Sequence, residues 1–183
     1  RRAEKPTEIQ QFTVVCLDRA TGKPLWQQVA REELPHEGHH RDGGFASASP
    51  VTDGEHLIAY FGSRGLYCYD LQGQLQWDKD FGEMTIRGSF GEGSSPALYG
   101  DTVVVLWEHE GEEDFLVALD KETGREKWRV DREERTSWTT PLIVEVDGKP
   151  QVIVSGTMAV RGYALDSGKE LWSGPGLTMN VIP

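Results

Sequence analysis

Long apolar runs are missing from this 183-residue chain. No segment approaches the ~18 consecutive apolar residues of a membrane-spanning helix, so no membrane span is expected. A charged leader followed by an apolar stretch is missing too, because the opening RRAEKPTEIQ is polar throughout. Positive charge is scarce: 19 Lys and Arg stand against 30 Asp and Glu, for a net charge of −11. That balance argues against a nucleic-acid backbone or an anionic membrane surface as partner, since both require a positive patch. Cysteine occurs twice and asparagine once. Helical periodicity is also lacking, for no window places apolar residues at i, i+3, i+4 and i+7 between capping signals.

What the chain has is repetition. Leu119-Asp120 leads through Thr123-Gly124 to Trp128, and three further segments follow the same plan. They are Leu17-Asp18 through Gly22 to Trp26, Tyr69-Asp70 through Gly73 to Trp77, and Leu165-Asp166 through Gly168 to Trp172. The tryptophans are 51, 51 and 44 residues apart. A second marker, Ser49-Pro50, Ser95-Pro96 and Thr140-Pro141, runs in phase with the first. Two markers at one period imply a repeat architecture.

One unit, such as residues 46–82, reads as four short strands separated by turn signals: Ser49–Val51, His56–Phe61, Leu66–Tyr69 and Gln74–Trp77. A repeated four-stranded antiparallel meander of about 45 residues is the signature of a β-propeller blade. The expected fold is therefore all-β: an arc of about three and a half blades. A polar tail (1–11) precedes the outer two strands of one blade (12–30). Full blades follow at 46–82, 93–131 and 138–173, and 179–183 is expected to begin another. Because closed propellers need at least four blades, the sequence predicts either a segment of a longer ring or an arc completed by another chain.

The repeat assigns structural roles. Asp18, Asp70, Asp120 and Asp166 cap their turns, and Gly22, Gly73, Gly124 and Gly168 take the positive-φ position. Trp26, Trp77, Trp128 and Trp172 dock each blade on the next, as a ring burying 150–250 Å² can do. Cys16 and Cys68 stand two residues before the turn aspartate, where the other copies have Ala118 and Ala164. The position calls for a small, buried side chain. Both thiols are expected to be free, since equivalent positions in stacked sheets lie ~10 Å apart, beyond the ~7 Å reach of a disulfide.

Any ligand site should lie among the longer loops of one face. His36, His39 and His40 form a candidate metal cluster, although His-x-x-His-His without a second cluster is not an established ligand spacing. The run Glu108 to Asp114 reads as a solvated turn or, alternatively, a calcium loop. Arg87, Arg135 and Arg161, with Trp138 among them, are the candidates for holding an anion or a sugar. No nucleophile elbow, phosphate loop or nucleophile–base pair occurs, and no catalytic residue is predicted.

The phrase running from Ala118 through Leu119-Asp120 and Thr123-Gly124 to Trp128 resembles the tryptophan-docking repeats of the PQQ-binding-like (quinoprotein-like) propellers. The resemblance covers residues 12 to 183 and implies a ring of seven or eight blades. One class of that family comprises dehydrogenases that hold pyrroloquinoline quinone and Ca²⁺, usually beneath an adjacent Cys-Cys pair that this chain lacks. The other class, of BamB type, is non-catalytic and binds proteins through its loops. The resemblance therefore implies a periplasmic or secreted bacterial scaffold with no cofactor, whose partner is another protein or the remaining blades of its own ring. The alternatives are a fragment of a PQQ- and Ca-dependent oxidoreductase and a carbohydrate-binding propeller.

Overall fold

A computed structural model describes residues 5–178, so the strand expected at 179–183 lies outside the described residues. The chain is a succession of antiparallel sheets. The first is two-stranded, β1 (Gln10–Leu17) and β2 (Pro24–Glu33). It starts two residues before, and ends three residues after, the expected 12–30. The next sheet holds β3 (Val51–Thr52), β4 (His56–Tyr60), β5 (Leu66–Asp70) and β6 (Leu75–Lys79). Then come β7 (Ala97–Tyr99), β8 (Thr102–Trp107), β9 (Asp114–Asp120) and β10 (Glu126–Arg132). The last contains β11 (Leu142–Val146), β12 (Lys149–Ser155), β13 (Ala159–Ala164) and β14 (Glu170–Pro175). Strands pair in sequence order within each sheet, giving the blade meander.

The two central sheets are apolar on both faces because their neighbours cover both. All of β8 is buried, yet its residues divide by parity. Val103, Val105 and Trp107 pack with Ile58, Tyr60 and Cys68 of the preceding sheet. Val104 and Leu106 pack with Val152, Val154 and Tyr163 of the following one. A strand points successive side chains to opposite faces, so a TVVVLW run builds two cores at once. Phe12 and Val14 of β1 pack likewise on Ala59, Phe61, Tyr67 and Tyr69.

Trp26, Trp77 and Trp128 each reach across to the next sheet. The indole N–H donates to the next sheet's turn in three successive joints: Trp26 to Leu71 O (2.9 Å), Trp77 to Lys121 O (2.7 Å) and Trp128 to Leu165 O (2.7 Å). The turn glycine makes this possible. A Cβ placed on Gly73, Gly124 or Gly168 would meet ring atoms of Trp26, Trp77 or Trp128 at 2.7, 2.7 and 2.6 Å. The Ser-Pro marker has its own bonding. Ser49 N–H donates to Ser95 Oγ (2.9 Å) and Ser95 N–H to Thr140 Oγ1 (3.1 Å), a chain of hydroxyls from sheet to sheet just ahead of the first strands.

In three copies the turn aspartate accepts hydrogen bonds from its own turn. Asp18 and Asp120 accept the N–H and hydroxyl of Thr21 and Thr123, and those hydroxyls hold both carboxyls below the usual carboxylate range. Asp70 accepts from Gln72 and Gln74 N–H. The fourth copy is a correction. Trp26, Trp77 and Trp128 pair with Cys16, Cys68 and Ala118, but Trp172 pairs with Gly162. The residue at the capping corner is thus Ala164, whose carbonyl accepts Gly168 N–H at 2.9 Å. Asp166 sits further along the turn, where it takes the Ser167 hydroxyl at 2.9 Å. The constant element is the four-residue step from glycine to tryptophan, because that step sets the docking geometry. The small-residue position also changes: Gly162, not Ala164, lies beneath the indole.

Both thiols are free. Cys68 is buried, and burial pushes its thiol up to about 12. Cys16, expected to be buried, is only half-buried: among the described strands β1 has a neighbour along one edge alone, in a two-stranded sheet.

Candidate functional site

Three kinds of loop come together on one face: those between sheets, those joining β8 to β9 and β12 to β13, and the 3₁₀ turn Gly62–Arg64 between β4 and β5. They are tied to one another across the sheets. His40 N–H donates to Phe90 O (2.8 Å) and Glu110 N–H to Thr85 O (2.8 Å). Ile86 N–H donates to Glu37 Oε2 (3.0 Å), and Trp138 Nε1 to Gly91 O (2.8 Å). Met84 N–H donates to Ser63 Oγ (2.8 Å). The result is a continuous rim rather than six separate loops.

Beneath the rim lies a layer of enclosed charge that the sequence did not reveal. Glu108 opens the loop after β8 and is buried with Arg132 at the end of β10. Arg132 Nε donates to Glu108 Oε1 at 2.5 Å, its Nη1 donates to the Tyr163 hydroxyl, and Ser137 Oγ donates to Glu108 Oε2. Glu134 accepts from Thr157 N–H and Oγ1 (both 2.7 Å), from Met158 N–H (3.2 Å) and from Arg161. Glu92 accepts Ser63 N–H (2.7 Å) and the Ser63 hydroxyl (2.5 Å). Burial raises the Glu92 and Glu108 carboxyls above the usual range. The acidic run 108–114 is therefore not simply a solvated turn. Its ends, Glu108 and Asp114, are buried, and only its tip faces water.

Asp114 supplies a pH test. Its Oδ1 accepts His109 N–H at 2.9 Å, yet burial pushes its carboxyl up to about 6. In the unfolded chain the group titrates near 3.9. Between those values the folded state holds a proton that the unfolded state has lost, so this group lowers stability as pH rises from about 4 to 6. Asp114→Asn retains an acceptor for His109 N–H and removes the charge. It should raise the melting temperature at pH 7 and flatten the wild-type decline over that window. Equal pH slopes for the two proteins would refute this account of Asp114.

The three candidate histidines do not converge. An Arg64 Nη2 donates to His36 Nδ1 at 2.7 Å; because a guanidinium only donates, Nδ1 accepts and Nε2 carries the proton given to Met84 O at 2.7 Å. Neutral His36 thus has no spare lone pair for a metal. His39 Nδ1 donates to His40 O (2.7 Å) while its ring lies edge-on to Phe45 at 4.6 Å. His40 Nδ1 accepts from Asp42 N–H (3.3 Å), and its ring faces Phe90. Among the described residues, no three His, Cys, Asp or Glu side chains are grouped to hold a metal ion.

The candidate cations differ in their engagements. Arg161 is bound to Glu134. Arg87 is half-buried, with its N–H donating to Thr136 Oγ1 at 3.2 Å, and Arg135 is exposed. Trp138 is half-buried, its indole committed to Gly91. Two adjoining cavities under the rim share Phe45, Phe61, Ile86 and Glu92, and each measures about 20 Å³, room for roughly one water. The enclosed Tyr60 hydroxyl, which has no hydrogen-bond partner, lines one of them. Each of these two cavities is far smaller than a quinone.

A family model described as "Outer membrane protein assembly factor BamB" matches residues 10–180. No curated protein matches the chain. Among solved structures, the chain is similar to BamB from Moraxella catarrhalis (15% identity, TM-score 0.60), over 94% of this chain and 54% of that one. It is also similar to the quinohemoprotein alcohol dehydrogenase from Comamonas testosteroni (14%, TM-score 0.64; 91% of this chain, 32% of that one). A europium-containing methanol dehydrogenase matches at 21% identity and TM-score 0.52, over 76% of this chain and 25% of that one. The chain thus spans about half the length of the BamB structure and a quarter to a third of the dehydrogenases. These likenesses establish the propeller fold.

Proposed function

The chain belongs to the family of outer membrane protein assembly factor BamB, and on that premise we propose that it is a non-catalytic scaffold offering its loop face to a protein partner in the bacterial envelope or outside the cell. One observation carries this reading. The buried charged groups of the face bind one another and the loop backbones, which fixes the shape of a rim instead of leaving reactive groups in a pocket. The exposed groups left on the rim are mostly acidic. Asp42, Asp80, Glu83, Glu110, Glu112, Glu113 and Glu133 stand against Arg41 and Arg135. A rigid negative face suits a partner with a basic surface.

The test is binding of the chain to purified components of an outer-membrane assembly machinery. Reversing the loop tip with Glu110→Lys, Glu112→Lys and Glu113→Lys is expected to weaken association about tenfold or more. Binding should also weaken as salt rises from about 0.05 to 0.5 M. No binding to any component, or binding indifferent to the charge reversal, would refute the proposal. Titration with pyrroloquinoline quinone and Ca²⁺ is expected to leave the quinone absorbance unchanged. A shifted spectrum would favour the oxidoreductase reading instead.

A further inference from the structure

Two enclosed donors beneath the rim have hydrogens to give and no acceptor among the described residues. The Tyr60 side chain closes β4. It is 3% exposed, and its hydroxyl has no hydrogen-bond partner. Burial pushes that hydroxyl well above its usual range, so it keeps its proton. Arg64, in the 3₁₀ turn that follows, is 4% exposed. Its Nε is ion-paired with Glu33 Oε1 at 2.5 Å and its Nη2 donates to His36 Nδ1, but Nη1 has no partner. A buried donor left unmade is costly, and two such donors four residues apart call for a cause.

Each donor lines its own cavity. Tyr60 lines the first with Glu92, Ser94, Glu108 and Ser137, and Arg64 lines the second with His36, Glu37 and Glu92. At about 20 Å³ each, both exceed the roughly 10–15 Å³ that one water requires. The remaining polar side chains of the first cavity offer lone pairs. Ser94 gives its hydrogen to Thr139 O at 2.7 Å, and Ser137 gives its own to Glu108. Glu92, common to both cavities, takes Ser63 N–H on Oε2 and the Ser63 hydroxyl on Oε1. A carboxylate has about four lone-pair sites, so each oxygen keeps room for a second hydrogen. The occupant must accept one hydrogen, donate another and be a single heavy atom in size. An anion donates nothing and would meet Glu37, Glu92 and Glu108. Ammonium or a metal ion accepts nothing from Tyr60 or Arg64. Water does both.

We propose that each cavity binds one ordered water and that the two waters hydrate Glu92 from opposite donors. The first accepts the Tyr60 hydroxyl hydrogen and donates to Glu92. The second accepts from Arg64 Nη1 and donates to the same carboxylate. Tyr60, water, Glu92, water and Arg64 then form one chain. It ties β4 and its turn to the loop ahead of β7 at two points beyond the direct Ser63 bonds. The chain also gives the raised Glu92 carboxyl hydrogen bonds that its burial would otherwise deny it. Both donors are shut from bulk solvent by residues of this chain. The waters therefore bind whether or not the loop face takes a protein partner, and the two proposals can fail separately.

The experiment is a crystal structure of the protein at a resolution that shows ordered solvent, beside one of Tyr60→Phe. The wild type should show a single water peak in each cavity, one within hydrogen-bond distance of Tyr60 Oη and one within that distance of Arg64 Nη1. Tyr60→Phe keeps the ring and removes only the hydroxyl, so circular dichroism should show it folded. It should lose the first peak and retain the second. In solution, magnetic relaxation dispersion of the solvent counts long-lived enclosed waters, and the wild type should hold one more than the variant. If the variant does not fold, the wild-type peaks decide alone. Dry cavities in the wild type would overturn the proposal. So would a first peak that survives Tyr60→Phe, equal solution counts for the two proteins, or density too long for a single oxygen, which would mark an organic ligand.

Discussion

Replacing Trp128 with alanine is expected to lower stability by about 3–5 kcal/mol, the range for removing a large buried aromatic side chain. For a chain of this size that is a fall of roughly 10 °C or more in melting temperature. The ring is 9% exposed and closes the core formed by Val104, Leu106, Ala118, Val152 and Tyr163. Its removal also leaves Leu165 O without its indole donor and opens space above Gly168. The effect should be cooperative, because the two sheets it joins share one apolar interface. The control lies within the same chain. Trp172→Ala should cost under about 1 kcal/mol, since that residue is 40% exposed and little of its environment is lost. Denaturant midpoints compare the two directly. Losses equal within about 1 kcal/mol would mean that the indoles do not dock sheets.

The second large effect is expected at Arg132→Met. The Arg132 and Glu108 side chains are 2% and 0% exposed, and removing one partner of a buried pair costs about 3–5 kcal/mol because the other charge is left enclosed. The loss has a pH signature. Burial already raises the Glu108 carboxyl, and the Arg132 charge opposes that rise. Without Arg132 the folded-state carboxyl moves further above its unfolded value. The deficit is then smallest below the unfolded carboxyl range and grows as pH rises through the folded one. Arg132→Met should therefore be less destabilising at pH 5 than at pH 8. Adding Glu108→Gln, which retains an acceptor for Ser137, should recover much of the loss at pH 8. A pH-independent deficit, or no recovery in the double variant, would show that the pair does not act through buried charge.

The docking device could be read along the chain because glycine and tryptophan are four residues apart, and neighbours that close are fixed to one turn and one strand whatever surrounds them. Capping is less rigidly coded. In the fourth copy Leu165-Asp166 matches the phrase, yet pairing of Trp172 with Gly162 puts Ala164 at the corner; a strand register depends on its partner strand, not on the phrase alone. The charged layer was illegible for a different reason. Glu108 lies in a run of acids and looks like its neighbours; its burial follows from Arg132 and Ser137, which bind it, and from Tyr163, which holds Arg132 from the next sheet, and these meet only after two sheets have stacked. The histidines misled in the opposite sense. Their closeness in sequence suggested convergence, but His36 is claimed by Arg64 and Met84 from other loops.

By itself the sequence determined the blade: its four strands, its positive-φ turn and the indole that couples it to the next, all set by interactions within one repeat. Tertiary structure decided which charges are buried and which histidines are occupied. Those outcomes depend on residues tens of positions apart meeting across a joint, and burial in such a joint, not residue type, decides whether a carboxylate is a solvated surface group or part of the core.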